Sequence, residues 1–523
     1  MHNNFNEEYQ YDSCISRGIC SINPRISALQ TVLVLYLRIL AKYSVNLELS
    51  KKIKSFILNT LSITINNPEF NENSYLFAVE NFRKELPSIV QQALVSDSNI
   101  DIESEKNKFD ELFKETEDII QAIKFGEKIF NSALENIPAE IRDLYNIILV
   151  IAKSLSINLL DLESFNKESE IAFKTILDLL GKINLEENDI EKLKFKIVES
   201  VKLDCELMKL IRQAQQERYG KQGVSEVSYT TVPNKAVLVV GSNIRELESV
   251  LESLKDQNID VYTHDDMMLA HTFPKFKEYK HLKGQFGQGL ENCLLDFATF
   301  PGPIVLTKHS LHNIENLYRG RLFTTDYTTS PKGIIKIENE DFKPVIESAK
   351  KSRGFKTGRV CETVTIGYDY EKTVELIRNK YIAENYDHIF VIGLDGYSLE
   401  QRTYFEKIIK HAPKNVLIIS FSYNFEQDNL VYINTCFDYQ SWIKIIEFTK
   451  TFCSSIITFV PKCDRATISQ MIYLKEVLEV DIYVGKCIPI LLNPSLISTM
   501  NKIFSIKNLS TAKMDVEKIL NNK

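Results

Sequence analysis

Residues 236–263 read AVLVVGSNIRELESVLESLKDQNIDVYT. The apolar run Ala236–Val240 predicts a strand buried on both faces. Gly241 ends it, an amphipathic helix follows from about Ile244 to Gln257, and Ile259–Thr263 is the next strand. Strand, helix and strand in succession specify parallel strands covered by helices. The pattern continues with a strand at Pro303–Thr307 and restarts near Glu362. After the restart come helix Tyr370–Ala383, strand His388–Ile392, loop Gly393–Gly396, helix Leu399–Lys410 and strand Asn415–Ser420. Helix Gln440–Lys450, strand Ser455–Val460, helix Ala466–Glu479 and strand Asp481–Val484 close the series. The restart predicts two α/β domains.

Upstream of Tyr219-Gly220 the character is different. Asn23 is a candidate N-cap with Pro24 at the first helical position, and Ile26, Leu29, Val32, Leu33 and Leu37 follow at helical spacing. The stretches Asn107–Phe125, Ile137–Leu155 and Glu187–Gln213 repeat that spacing, and glycine is nearly absent. These residues predict a helical bundle. The expected domains are a helical one at 1–222 and α/β ones at 223–361 and 362–523.

The chain has 523 residues, a formal net charge of −7 and 44% hydrophobic residues, so its core need not depend on metals or disulfides. With no basic stripe, nucleic acid is not an expected partner. Residues 1–13 are polar and acidic, unlike a secretory signal. The apolar stretch Ile26–Ala41 contains Arg38 and falls short of a ~20-residue span, so it is expected as a buried helix and no membrane span is expected. Nine cysteines are too sparse for a disulfide scaffold, which makes a reducing cytoplasm the expected compartment. In an open parallel sheet the site lies in the loops at the carboxyl ends of the strands. Those loops are Gly241–Asn243, His264–Met267, Lys308–Ser310, Gly393–Gly396, Phe421–Phe425 and Lys462–Arg465, and none carries a phosphate-binding pattern.

Several segments, in order, resemble the hybrid-cluster protein (prismane, hydroxylamine reductase) family. Cys14-Ile-Ser-Arg-Gly-Ile-Cys20, followed by Ser-Ile-Asn-Pro-Arg-Ile-Ser-Ala-Leu-Gln, resembles its cysteine-rich entry and first long helix. Glu206–Gly220 resembles the end of its helical domain. Asp260-Val-Tyr-Thr-His264 with Leu269-Ala-His271 resembles its "DVYTHGEMLPAH" segment, and Phe390–Gly396 its "VGGCDG". Phe300–Thr307 and Leu322–Thr325 also match in order. The resemblance implies a helical bundle domain followed by two Rossmann-like α/β domains with parallel sheets. It also implies a cubane bound by four N-terminal cysteines, and a hybrid iron–sulfur–oxygen cluster bound by one His, two Glu and four Cys.

Carried over residue by residue, most of those ligands are replaced. Cys14 and Cys20 match the last two N-terminal cysteines, and Met1–Ser13 supplies no others. The histidine expected after Gly241 is Ser242, and the glutamate expected two residues after His264 is Asp266. Cysteines expected at 310, 394 and about 422 are Ser310, Leu394 and Ser422. Cys436 is retained, the last glutamate is Cys463, and the lysine two residues on is Arg465. Iron sites of this kind require soft thiolates; a serine hydroxyl is a poor ligand at neutral pH and leucine is none.

Two readings of the remnants stay open. Cys436 and Cys463, with Asp266 or His309, form a mononuclear zinc or iron site, or the two thiols only fill space. Cys14 and Cys20 either share an iron–sulfur cluster between two chains or are leftover cysteines beside the first helix. His264 and His271 are expected to make structural hydrogen bonds. Cys205, Cys293, Cys361, Cys453 and Cys487 match no ligand position. The expectation is a catalytically inactive homologue without a resident cofactor, kept for a structural, assembly or regulatory role with a protein partner or with itself. The alternative is an iron–sulfur or mononuclear-metal oxidoreductase related to hydroxylamine and nitric oxide reductases. A third reading is a small ligand in the emptied cleft.

Overall fold

The computed structural model describes residues 24–44, 46–64, 72–96, 102–134, 137–181, 188–287, 293–308, 320–325, 334–393, 399–422, 424–435, 438–460, 465–484 and 494–521. The chain divides into two compact units, residues 1–207 with 306–341 and residues 208–305 with 342–523.

The first unit is built on α1 (Pro24–Ser44), α2 (Lys51–Ile63), α3 (Glu72–Ser96), α4 (Ile102–Thr116), α5 (Ile119–Leu134), α6 (Ala139–Ser164) and α7 (Glu170–Gly181). Helix α1 starts at Pro24, as the Asn-Pro signal predicts. By length and composition α1 is apolar enough to cross a membrane. Here it packs against α3, α5 and α7, and Leu29, Val32, Leu33, Leu37 and Leu40 are fully buried. The helical spacing read over Asn107–Phe125 is carried by two helices, α4 and α5. Asp118 accepts from the backbone N–H groups of Ile120 and Gln121 at 3.0 Å each, capping α5. The chain turns at this point because Thr116 is anchored to the bundle: the Tyr36 hydroxyl lies 2.6 Å from Thr116 Oγ1, and the Tyr75 hydroxyl donates to Thr116 O at 2.9 Å. Helix α5 crosses α1 at Gly126, where a Cβ would lie 2.2 Å from Ala28 O.

Helix α8 (Ile190–Tyr219) runs to Gly220, and the α/β series begins after it. Strand β1 (Ser225–Ser228) pairs antiparallel with β8 (Thr363–Ile366). The first large sheet holds β2 (Ala236–Val240), β3 (Asp260–His264), β4 (Leu282–Gln285), β5 (Ile304–Leu306), β6 (Leu322–Thr324) and β7 (Ile334–Lys336), with α9 (Ile244–Leu254), α10 (Cys293–Thr299) and α11 (Lys343–Lys351). The second holds β9 (His388–Ile392), β10 (Val416–Ser420), β11 (Leu430–Tyr432), β12 (Ile456–Val460), β13 (Asp481–Val484) and β14 (Lys507–Asn508). Its helices are α12 (Tyr370–Ala383), α13 (Leu399–His411), α14 (Tyr439–Thr449), α15 (Arg465–Glu476), α16 (Pro494–Phe504) and α17 (Ala512–Asn521).

Both six-stranded parallel sheets have one topology, β4-β3-β2-β5-β6-β7 and β11-β10-β9-β12-β13-β14. In each, the chain moves outward over three strands, returns beside its first strand and moves outward the other way. This is the doubly wound order of Rossmann folds, whose ligands bind where the direction reverses. Strands β2, β10 and β12 are buried at every position, which is why they read as unbroken apolar runs. The outer strands β6, β7, β11 and β14 are two or three residues long, too short to give a pattern.

Close crossing of α1 and α5 makes Gly126 a sensitive position. Gly126→Ala should destabilise the protein by more than about 2 kcal/mol, because backbone must move to admit the methyl group. Denaturant unfolding of the variant checks this.

Candidate functional site

Strand register places the inspected loops at equivalent depths. Val240 pairs with His264 at the carboxyl ends of β2 and β3, and Ser420 pairs with Ile392 at the ends of β10 and β9. Ser242, Asp266 and Ser422 therefore each lie two residues beyond a strand end. Cys14, Cys20, His309, Ser310, Leu394, Cys436 and Cys463 lie outside the described residues. Cys205 and Cys453 are buried and Cys361 is half-buried, and none of the three is in a disulfide. Among the described residues, no group of three or more His, Cys, Asp or Glu side chains converges as a metal site.

At the first sheet, Gly241 takes a positive φ of 118° and Ser242 is exposed. Asn243 then caps α9 by accepting from Glu246 N at 3.1 Å. After β3 the backbone turns at Asp265, whose φ of 60° lies in the left-handed region. A polar network supports that turn. The Thr263 hydroxyl donates to Gln285 Oε1 at 2.5 Å, and the Gln285 amide donates to Asp265 O at 3.2 Å. With its proton committed, Thr263 Oγ1 accepts from His271 Nε2 at 2.8 Å, which fixes the neutral Nε2–H tautomer of His271. Burial pushes the His271 imidazole down to about 4. His264 is fully buried, with Nε2 3.0 Å from Asp296 Oδ2 and its ring against Phe297. Both histidines are thus tied into the scaffold.

At the second sheet, Gly393 follows β9 and donates its N–H to Phe459 O at 2.9 Å. Its carbonyl accepts the Ser422 hydroxyl proton. The Trp442 indole lies against it: a Cβ at 393 would be 3.2 Å from Trp442 Cε2 and Cζ2. Trp442 is the sole tryptophan and is 1% exposed. Helix α14 begins on Asp438, whose Oδ1 accepts from Gln440 N at 3.1 Å and whose Oδ2 accepts from Ser441 Oγ at 2.6 Å. Arg212, near the end of α8, donates Nη2 to Asp438 Oδ1 at 2.6 Å and sets its guanidinium 5.7 Å from the Phe273 ring centroid. Tyr368, hydrogen-bonded to Ser441, has its phenol pushed up by burial and by the Asp438 charge.

The sequence contained a signal for Asp438, an N-cap residue ahead of an amphipathic stretch. It contained none for Arg212, which is 226 positions away, nor for the Trp442–Gly393 contact. As for an iron–sulfur cluster, the described residues do not fit one. Ser422 has its hydroxyl engaged with backbone, Ser242 is a hard donor in solvent, and Asp266 is the only carboxylate at a matching position.

Asp438→Asn should cost about 3 kcal/mol in denaturant unfolding, because it leaves the Arg212 cation buried without a counter-charge. The lowered His271 pKa gives a pH dependence. Below about pH 6.5 the unfolded chain takes up a proton that the folded chain refuses. Stability is then full above that pH and falls by up to about 3 kcal/mol as pH drops toward 4. The His271→Gln variant should lose that slope in unfolding measured across the range.

The sequence profile of the Prismane/CO dehydrogenase family matches residues 10–435. Similar curated proteins include the hydroxylamine reductase of Thermodesulfovibrio yellowstonii, 25% identical, with 98% of this chain and 99% of that protein covered. Another is the hydroxylamine reductase of Methanocella arvoryzae, 24% identical, with 97% and 98% covered. The hydroxylamine reductase of Kosmotoga olearia is 29% identical over 60% of this chain and 62% of its own. Among solved structures, the Ni-free carbon monoxide dehydrogenase of Thermococcus sp. AM4 is similar at 9% identity and a TM-score of 0.49, covering 96% of this chain and 86% of its own. A profile match over most of the length, with colinear relatives at both ends, shows that the chain belongs to the Prismane/CO dehydrogenase family.

Proposed function

We propose that this chain is a family member that no longer holds the hybrid cluster and acts in the cytoplasm through binding or assembly, not as a hydroxylamine reductase. One observation carries the reading: the Ser422 hydroxyl, at a position the resemblance gives to a cysteine, is spent on the Gly393 carbonyl. A thiolate there would have been a soft anionic ligand. The hydroxyl instead ties two loops together and adds no charge. Ser242 and Ser310 in place of histidine and cysteine, and Leu394 in place of the next cysteine, act in the same direction. The scaffold does not require the cluster, because both sheets have fully buried apolar strands. A binding role requires a partner, either another protein or a second copy of this chain.

The curated relatives are named hydroxylamine reductases, which makes reduction by a smaller iron–sulfur or mononuclear centre at Cys14 and Cys20, or at Cys436, Cys463 and Asp266, the competing reading. Iron and acid-labile sulfide measured on anaerobically purified protein separate the two. The expected result is well under one iron per chain and no visible absorption band. About one iron or more per chain, with hydroxylamine-dependent oxidation of a reduced dye, would overturn the proposal.

A further inference from the structure

Among the described strands, β1 pairs with β8 alone, so its other edge is open. Register decides which groups that edge presents. In an antiparallel pair, residues that exchange hydrogen bonds alternate with residues that turn their N–H and C=O away from the partner strand. Tyr229 N donates to Glu362 O at 3.0 Å, which makes Tyr229, Val227 and Ser225 the bonded positions. Glu226 and Ser228 therefore direct their backbone groups to the open edge. On β8 the same rule turns Thr365 outward, and its carbonyl accepts from Asn434 Nδ2 at 2.9 Å. On β1, Ser228 O meets Gly284 of β4, where a Cβ would lie 2.0 Å from it. Among the described residues, the N–H groups of Glu226 and Ser228 and the carbonyl of Glu226 have no hydrogen-bond partner.

A cavity of about 460 Å³ is lined by all of β1 and by Phe276, Lys277, Leu282, Lys283 and Gly284, within the second compact unit. Its volume falls in the ~300–1,000 Å³ of small-ligand sites. Val224, Phe276 and Leu282 give it an apolar wall. Lys283 is held by Asp260 at 3.6 Å and by Lys280 O at 2.9 Å, whereas Lys277 and Glu226 have no ion pair among the described residues. A donor and an acceptor at Glu226 and a donor at Ser228 are what one further extended chain would pair. Lying parallel to β1, such a chain sets the N–H of one residue on Glu226 O and the C=O of the same residue on Ser228 N–H. It ends there, because Ser228 O, the next acceptor along the edge, is covered by Gly284. A parallel chain brings its carboxylate to that end, and an antiparallel one its cationic amino group. The lysines select the carboxylate.

We infer that the open edge of β1 and its cavity bind the carboxyl-terminal end of an extended peptide. The last residue lies across from Val227, with its side chain on the apolar wall and its carboxylate on Ser228 N–H and Lys277. The penultimate residue lies across from Glu226, which favours lysine or arginine there and disfavours an acid. The inference rests on the proposed binding role and gives the protein partner a chemistry.

Purified full-length protein of measured iron content is titrated with a fluorescently labelled hexapeptide ending in lysine and valine, and anisotropy is followed. The expected result is saturable binding of the free acid, about ten-fold weaker for the same peptide with a carboxamide end and for Lys277→Met, as loss of one charge-assisted contact requires. Glu226→Lys should invert the preference, so that a peptide with glutamate in the penultimate place binds better than the lysine one. Ser228→Pro removes an edge N–H that β8 does not use, and should weaken binding without breaking the β1–β8 ladder. The two exposed-side-chain variants keep the test decisive should Ser228→Pro fold poorly. The inference is overturned if the free acid does not bind, if acid and amide bind alike, or if Lys277→Met and Glu226→Lys bind the peptide as the parent does. Iron at the level that overturns the binding role sinks the underlying proposal, whereas iron-poor protein that ignores the free acid sinks this inference alone.

Discussion

The contact between Arg212 and Asp438 fixes the geometry at the carboxyl end of the second sheet. One carboxylate caps α14, binds Ser441 and neutralises a guanidinium that also lies against Phe273. A buried ion pair of this kind gains little net stability, because desolvation offsets most of the Coulomb attraction. Its main effect is positional. With Asp438 held, α14 has a fixed start, and Trp442 on its first turn is set under Gly393. With Arg212 held, the last turns of α8 are tied to the end of the second sheet.

The two α/β segments repeat one strand order, and each puts its polar residues at the carboxyl ends, yet the ends are finished differently. At the first sheet, Thr263, Gln285 and His271 hydrogen-bond among themselves and support a strained turn at Asp265. That network is closed. At the second sheet, Arg212 Nε and Nη1 and Trp442 Nε1 are buried without a partner, as is His264 Nδ1 at the first. A closed network of this kind stiffens a scaffold.

Replacement of the family's ligands also follows a physical pattern. Serine for cysteine or histidine keeps volume small and supplies a hydroxyl that can satisfy backbone, as Ser422 does with Gly393. Leucine at 394 adds apolar bulk and no charge. Under the proposed function, none of these replacements introduces a charge, so the fold need not bury an uncompensated ion.

Strand–helix alternation was legible from 236 onward because central parallel strands are buried on both faces and must be apolar at each position. Strands β2, β9 and β13 and helix α12 start and end within a residue or two of their apolar runs. The short edge strands were not legible, since two or three residues carry no period. The break between α4 and α5 was missed because helical spacing continued across it, and only the anchoring of Thr116 by Tyr36 and Tyr75 forces the chain to turn. Sequence by itself determined the family and the two sheets, because these depend on residue type and order. Tertiary structure alone decided that Ser422 serves Gly393, that Arg212 meets Asp438, and that the Trp442 ring lies against Gly393. The first two are pairings between distant positions, and local pattern contains no information about which distant residues a fold brings together.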